Sequence, residues 1–205
     1  MVPNDHQGAC AEMQRAVVLE VHEVANMQLW KHYTFRRQQI TEALRTRRDC
    51  PWASQLLRGI TEIQEELQHV VLDHRANEVL LLHGTTAEKA QQIVKQGFDE
   101  RLTQRQLYGR GVYFTTDSCK AAQYVGTGSA GCIIVARVLL GHPFIAQGPM
   151  PTHDRPPIAP GYDVPHDSIV AQPGIPNRKG TGKGQDRQLH TEVVVPRAES
   201  QIYPE

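Results

Sequence analysis

The sequence predicts an α+β fold with a largely antiparallel or mixed sheet, and three observations carry that prediction. Positions 141 to 190 hold 16 of the 29 Gly and Pro residues, so the last third is loop-rich while the first 140 residues carry long periodic segments. Up to about residue 75 the apolar positions recur at helical spacing. From residue 79 onward, short apolar and β-branched runs outnumber helices and are joined mostly by loops. A doubly wound parallel sheet would instead alternate strand and helix throughout.

Taken in order, residues 17 to 21 (VVLEV) read as a short strand. Asn26 is placed to cap a helix whose apolar positions are Leu29, Trp30, Tyr33, Ile40 and Leu44, broken by Pro51. Ile60, Ile63, Leu67, Val70 and Val71 form a second amphipathic face that ends before Asn77. Residues 79 to 82 (VLLL) are a buried strand running into His83-Gly84. Thr85 and Glu88 make a capping box for a helix with Ala90, Ile93 and Val94 inward, stopped by Gly97. Residues 111 to 115 (GVYFT) are the next strand, and Asp117 caps a short helix running through Tyr124. Further strands are expected at 132–140, 168–171, 192–195 and 201–203, and no internal repeat is present.

Composition narrows the function classes. The 205 residues carry 22 Lys+Arg against 22 Asp+Glu, which excludes a strongly basic nucleic-acid coat and a polyacidic tail. With 40% hydrophobic residues the chain can bury a core. No apolar run approaches the ~20 residues that span a bilayer, and the polar N-terminus lacks the apolar stretch of a secretory signal. An intracellular protein, cytoplasmic or nuclear, with no membrane partner is the expectation. Cys10, Cys50, Cys119 and Cys132 form no CxxC pair, and none of the ten histidines lies in an HxxxH or HExxH pattern, so no metal is expected.

Several familiar chemistries fail on context. Gly109-Arg110-Gly111 precedes a strand, whereas a dinucleotide fingerprint follows one and opens a helix. In the stretch 180–184 (GTGKG), Gly184 follows Lys183 where a phosphate loop needs Ser or Thr. What remains is His83-Gly84-Thr85 at the end of a buried strand, Tyr113 at the centre of another, and Glu192 opening a late apolar strand. Taken singly, each has a plain structural reading: a satisfied histidine, a core aromatic, an exposed strand start.

Together they carry a resemblance. VLLLHGT, GFDERL, YGRGVYFTTDSCKAAQYV, HDSIVAQPGIPN, HTEVVV and YPE, in that order, resemble the catalytic domain of the poly(ADP-ribose) polymerases, which are diphtheria-toxin-like ADP-ribosyltransferases. MQLWKHYTFRRQQI resembles the stretch preceding that domain, so the likeness runs from about residue 17 to 205. The resemblance implies split, mostly antiparallel sheets with flanking helices around an NAD⁺ site. It implies a tail at 1–14 and one catalytic domain at 15–205, with a helical lead-in at about 26–75, an NAD-binding core at about 79–205 and a truncated last strand.

It also implies roles. His83 holds the adenosine-side ribose, Gly84 bonds the nicotinamide carboxamide through its backbone, and Thr85 adds a ribose or adenine contact. Tyr113 and Tyr124 sandwich the nicotinamide ring, whose cationic character favours aromatic faces. Glu192 completes a catalytic His83-Tyr113-Glu192 set by accepting a hydrogen bond from the ribose 2′-hydroxyl as positive charge develops. Glu192 also leaves poly- or oligo-transfer chemically allowed. Ala121 stands where many members carry a serine that bonds the carboxamide, a lost contact of ~0.5–1.5 kcal/mol. Arg101 and Arg105 are candidate pyrophosphate contacts, and the basic loop at 176–189 falls where the acceptor is met. The expected acceptors are protein side chains, the chain's own included, with a nucleic-acid end as the other class. Single transfer, a catalytically silent NAD⁺- or ADP-ribose-binding module and an interaction scaffold are the alternatives.

Overall fold

The computed structural model describes residues 16–47, 49–57, 60–103, 107–125, 131–172 and 190–205. Helix α1 (Met27–Leu44) begins where Asn26 accepts the Leu29 N–H on its side-chain oxygen. The same carboxamide donates to the Val94 and Lys95 carbonyls at 3.1 and 3.2 Å, so one residue caps two helices. Leu29, Tyr33, Ile40 and Leu44 are buried at the helical spacing read from the sequence. Short helices α2 (Ala53–Leu56) and α3 (Ile60–Glu66) follow, then a 3₁₀ turn at His74–Ala76.

Strand β1 (Glu78–Thr86) leads into α4 (Ala87–Gln96), a 3₁₀ turn at Glu100–Leu102, β2 (Val112–Thr115) and α5 (Ser118–Ala122). Strands β3 (Gly131–Leu139), β4 (Pro143–Ile145), β5 (Ser168–Ala171) and β6 (Glu192–Val195), helix α6 (Ala198–Gln201) and strand β7 (Ile202–Pro204) complete the order. The strands form one hydrogen-bonded sheet, β4-β5-β6-β2-β1-β3-β7, antiparallel except for β4–β5. This is the α+β, mostly antiparallel architecture expected. The split in it is visible as a weak seam: β1 and β3 share nine register pairs, whereas β1 and β2 share only Leu82↔Thr115.

Both faces of the sheet are covered, so its central strands β6, β2 and β1 are buried along most of their length rather than at alternate positions. Val79, Leu81, Phe98, Val112, Phe114, Val193 and Val195 meet on one face. On the other, α1 packs on Leu139 and Tyr203 at one end, and Tyr108, Met150, Ile169 and Val194 cluster at the far end. Asn77, at φ 55°, turns the chain into β1 while its carboxamide bonds Ala53 N–H and the Pro51 and Gly141 carbonyls.

Several sequence expectations are corrected. Residues 17–21 are exposed and unpaired coil, because the strand's apolar character finds no ladder to join among the described residues. The second amphipathic helix stops at Glu66, and Val71 is exposed. The capping residue of α4 is Thr86, not Thr85, because the β1–β3 ladder persists to Thr86↔Gly131 and holds Thr85 as a buried strand residue. Helix α5 ends at Ala122, short of Tyr124, and Asp117 precedes it without a side-chain cap bond. Helices α2 and α6 and strand β4, at three to four residues each, are too short to show a period in sequence.

Candidate active site

The seam between β1 and β2 brings the sequence-predicted residues together. Glu192, Thr115 and Leu82 are successive Cα partners across β6, β2 and β1. Glu192 therefore starts its strand about 10 Å, two strand spacings, from Leu82. Cross-strand partners and residues two apart share a face. That rule groups Glu192, Thr115, Tyr113, Leu82 and Gly84 on one side of the sheet. Helix α5 lies over this side, its Ala121 carbonyl against Gly84. His83 reaches the seam from the other side, packed edge-on to Phe98 at 5.2 Å and tilted against Phe114 at 5.4 Å.

The ladder's alternation decides where the Gly84 backbone points. Leu140 N–H donates to Asn77 O, so odd positions of β1 hydrogen-bond β3 and even positions face away from it. The Glu205 N–H bond to Val135 O on the far edge of β3 agrees with that phase. Gly84 is an even position, so its N–H and C=O turn toward β2. An unbroken ladder would give the Gly84 N–H to the Tyr113 carbonyl, but the His83 Nδ1 takes that carbonyl at 2.9 Å. A carbonyl only accepts, so His83 Nδ1 carries the proton and Nε2 of the neutral ring is an acceptor. Burial pushes the His83 pKa down, more than the Tyr113 carbonyl raises it, and Lys89 adds to the fall. Glycine at 84 is required by the chain itself: a Cβ there would lie 1.7 Å from the Ala121 carbonyl oxygen.

Tyr113 uses its hydroxyl to hold the turn before β2, donating to Gly109 O at 2.8 Å and accepting the Tyr108 N–H at 3.0 Å. Gly109, at φ 92° and with His153 O 2.5 Å from where a Cβ would stand, allows that turn. Burial, with the Glu192 carboxylate adding to it, raises the Tyr113 phenol pKa. Tyr124 is exposed just past α5, its N–H bonded to Ala121 O. Thr85 and Ala121 are both buried, and Ala121 packs its backbone on Gly84. Arg101 is exposed, with its guanidinium held bidentate by Asp99 at 2.9 Å. Arg105 and the 176–189 loop lie outside the described residues.

Glu192 is 7% exposed and faces the Lys120 ammonium at 3.4 Å. Burial lowers the Lys120 pKa, but Glu192 and Tyr124 outweigh it and hold the ammonium charged. Lys120 also lies 5.4 Å from the centroid of the Tyr124 ring. Sequence reasoning did not single out Lys120. Its signal was the four-residue spacing to Tyr124, and the turn that follows α5 brings the two side chains together. Also overlooked was a second bridge between the same segments, His190 Nδ1 to Asp117 Oδ2 at 3.4 Å.

No group of three or more His, Cys, Asp or Glu residues is arranged to hold a metal among the described residues, and none of their helices is long and apolar enough to cross a membrane. Comparison with known proteins bears on the same strands. Over 93 residues, 44% of this chain, the sequence is 34% identical to the protein mono-ADP-ribosyltransferase PARP3 of Gallus gallus, and that match spans only 17% of the relative's length. The model of the poly(ADP-ribose) polymerase catalytic domain matches residues 2–157, which include β1, α5 and the seam, while β5, β6 and β7 complete the same sheet beyond the matched stretch. The chain belongs to the poly(ADP-ribose) polymerase catalytic-domain family.

Proposed function

We propose that this chain is an NAD⁺ ADP-ribosyltransferase that moves ADP-ribose to a protein acceptor, its own side chains included, and releases nicotinamide. The observation that carries the reading is the seam, where the Gly84 N–H and C=O turn toward β2 and the Tyr113 ring and the Lys120-held Glu192 carboxylate lie on one side of the sheet. A carboxamide presents one N–H₂ donor and one C=O acceptor, the complement of a strand edge's C=O and N–H. The nicotinamide carboxamide takes the Gly84 groups in place of the missing β2 ladder bonds. Tyr113 and Tyr124 supply the aromatic faces, and the acceptor nitrogen of His83 receives a hydroxyl of the adenosine-side ribose. Thr85, Ala121 and Arg101 stay on the proposed contact list of the bound dinucleotide.

In the reaction the C1′–N bond breaks and its electron pair leaves with neutral nicotinamide. The acceptor's lone pair forms the new bond to C1′, and the acceptor proton passes to solvent. Positive charge on the ribose peaks in between. A carboxylate at the 2′-hydroxyl favours that state over the bound substrate, which is what speeds the step. Lys120, 3.4 Å from Glu192 Oε1, holds the carboxylate in place. Single addition is the product type in the name of the Gallus gallus relative, and Glu192 leaves chain extension chemically open.

Automodification with labelled NAD⁺, wild type beside Glu192→Gln, tests the proposal. Incorporation by the wild type that falls at least 100-fold in the variant is the expected result, as a loss of a few kcal/mol of transition-state stabilisation requires. One addition per site means mono-transfer and a ladder means chain extension. NAD⁺ binding without incorporation by the wild type makes the chain a binding module.

A further inference from the structure

We propose that Asp117 and His190 are a positioning pair that sets where the Glu192 carboxylate points. The inference rests on the transferase reading above and concerns residues that do not touch the substrate. The geometry is a closed ring. Glu192 is the Cα partner of Thr115. Thr115 Oγ1 accepts the Asp117 N–H at 3.1 Å, and the Thr115 and Thr116 hydroxyls donate to Asp117 Oδ2 at 3.4 Å. The same oxygen takes the proton on His190 Nδ1, and His190 stands two residues before Glu192 on the segment that enters β6.

Asp117 also launches α5, its carbonyl accepting the Lys120 and Ala121 N–H groups at 3.1 and 3.0 Å. The two segments are thus cross-braced twice. Asp117 is the extended residue just before α5, and Lys120 lies in the first turn that its carbonyl starts. His190 stands two residues before Glu192, at the bend from which the chain enters β6. The bridges Asp117–His190 and Lys120–Glu192 join the same two segments, so each helps fix the spacing that the other needs. Both His190 and Glu192 are buried, so their segment cannot relax into water without opening this contact. Burial pushes the Asp117 carboxyl up, but the hydrogen bond and charge of His190 outweigh it, which keeps the acceptor oxygen ionised at neutral pH.

A reacting group displaced by ~1 Å costs up to about a hundredfold in rate. The expected effect of His190→Ala or Asp117→Ala is therefore a kcat lower by about tenfold, with KM for NAD⁺ within about twofold of wild type. His190→Asn keeps a donor near the Nδ1 position and Asp117→Asn keeps an acceptor, so each returns kcat to within about threefold. The Asp117→Ala/His190→Ala double variant is no slower than either single one, as expected for one shared contact. A general loss of packing would not respond to the Asn variants. Unchanged kcat in the Ala variants, losses that multiply in the double variant, or no rescue by His190→Asn overturns the proposal.

A second readout does not depend on turnover. The crystal structure of His190→Ala is expected to show Lys120 Nζ and Glu192 more than 4 Å apart, and a separation still near 3.4 Å contradicts the pairing. A wild type that binds NAD⁺ without turning it over sinks the transferase reading instead, and the crystallographic result still decides the pair.

Discussion

At Gly84 the chain has room for a hydrogen and nothing larger. The Ala121 carbonyl occupies the place of a side chain, and as backbone it cannot swing aside. Gly84→Ala is expected to cost about 1–3 kcal/mol of stability by overpacking. It also lifts α5, and Lys120 with it, away from Glu192, so turnover falls further than stability alone explains. Urea unfolding and NAD⁺ turnover on the same preparation check this, and unchanged stability would show that α5 does not rest on β1 as described. In the sequence Gly84 stood out only through its place after a buried strand, and its backbone role toward a carboxamide came from the family resemblance. The intrachain reason needed α5 folded back on β1, a contact between residues 37 apart. Lys120 and His190 were hidden for the same cause, since each gains meaning only from a partner on another segment.

Elements with a full period and a visible cap were legible. Asn26 opens α1 as read, and Gly97 closes α4 at φ 85° with its N–H on Ile93 O. Strands β5 and β6 match their expected bounds, because the apolar runs in SIVA and EVVV are buried on both faces and leave little choice. Residues 17–21 have the same β-branched character and no ladder, and propensity without a partner strand does not make one. The end of β1, expected at Leu82 and found at Thr86, was missed by four residues because Thr85 has the chemistry of a cap, and nine rungs of pairing to β3 override it. Asn26 gives the sharpest prediction at this scale, since its amide serves α1 and α4 at once. Asn26→Ala is expected to lower stability by about 1–2 kcal/mol, seen as an earlier urea midpoint, whereas Asn26→Asp restores only the α1 cap because it cannot donate to the α4 carbonyls. Equal stability of the Ala and Asp variants would refute the double role.

Across the whole molecule, buried neutral histidines make stability depend on pH. The His142 and His166 rings lie 4.5 Å apart, tilted by 41°, with Arg47 donating to His142 Nδ1 and Asp49 and Asp167 nearby. Burial lowers both histidine pKa values. In His142 the charges of His166 and Arg47 add to that, and in His166 that of Arg47 does, while Asp49 and Asp167 oppose. His83 is lowered as well. For a histidine depressed in the folded state, the unfolded chain binds the proton first as pH falls. The stability is fully present above the unfolded value near 6.5 and declines as pH drops from there toward the folded values. Thermal melts are expected to show Tm falling between pH 7 and 5, with a shallower fall in His166→Phe, which fills the site beside Phe144 without a titrating group. A wild-type Tm that stays flat over that range contradicts the account.

The central claim is that a transferase site sits at the seam of this sheet and that Glu192 works in the reaction rather than in holding NAD⁺. Nicotinamide release, measured beside calorimetric binding of a non-hydrolysable NAD⁺ analogue for wild type and Glu192→Gln, tests it most directly. Release by the wild type, loss of release in the variant, and analogue affinities within about threefold of each other, less than 1.4 kcal/mol, are expected. Equal release by both proteins, or loss of analogue binding together with release, would contradict it.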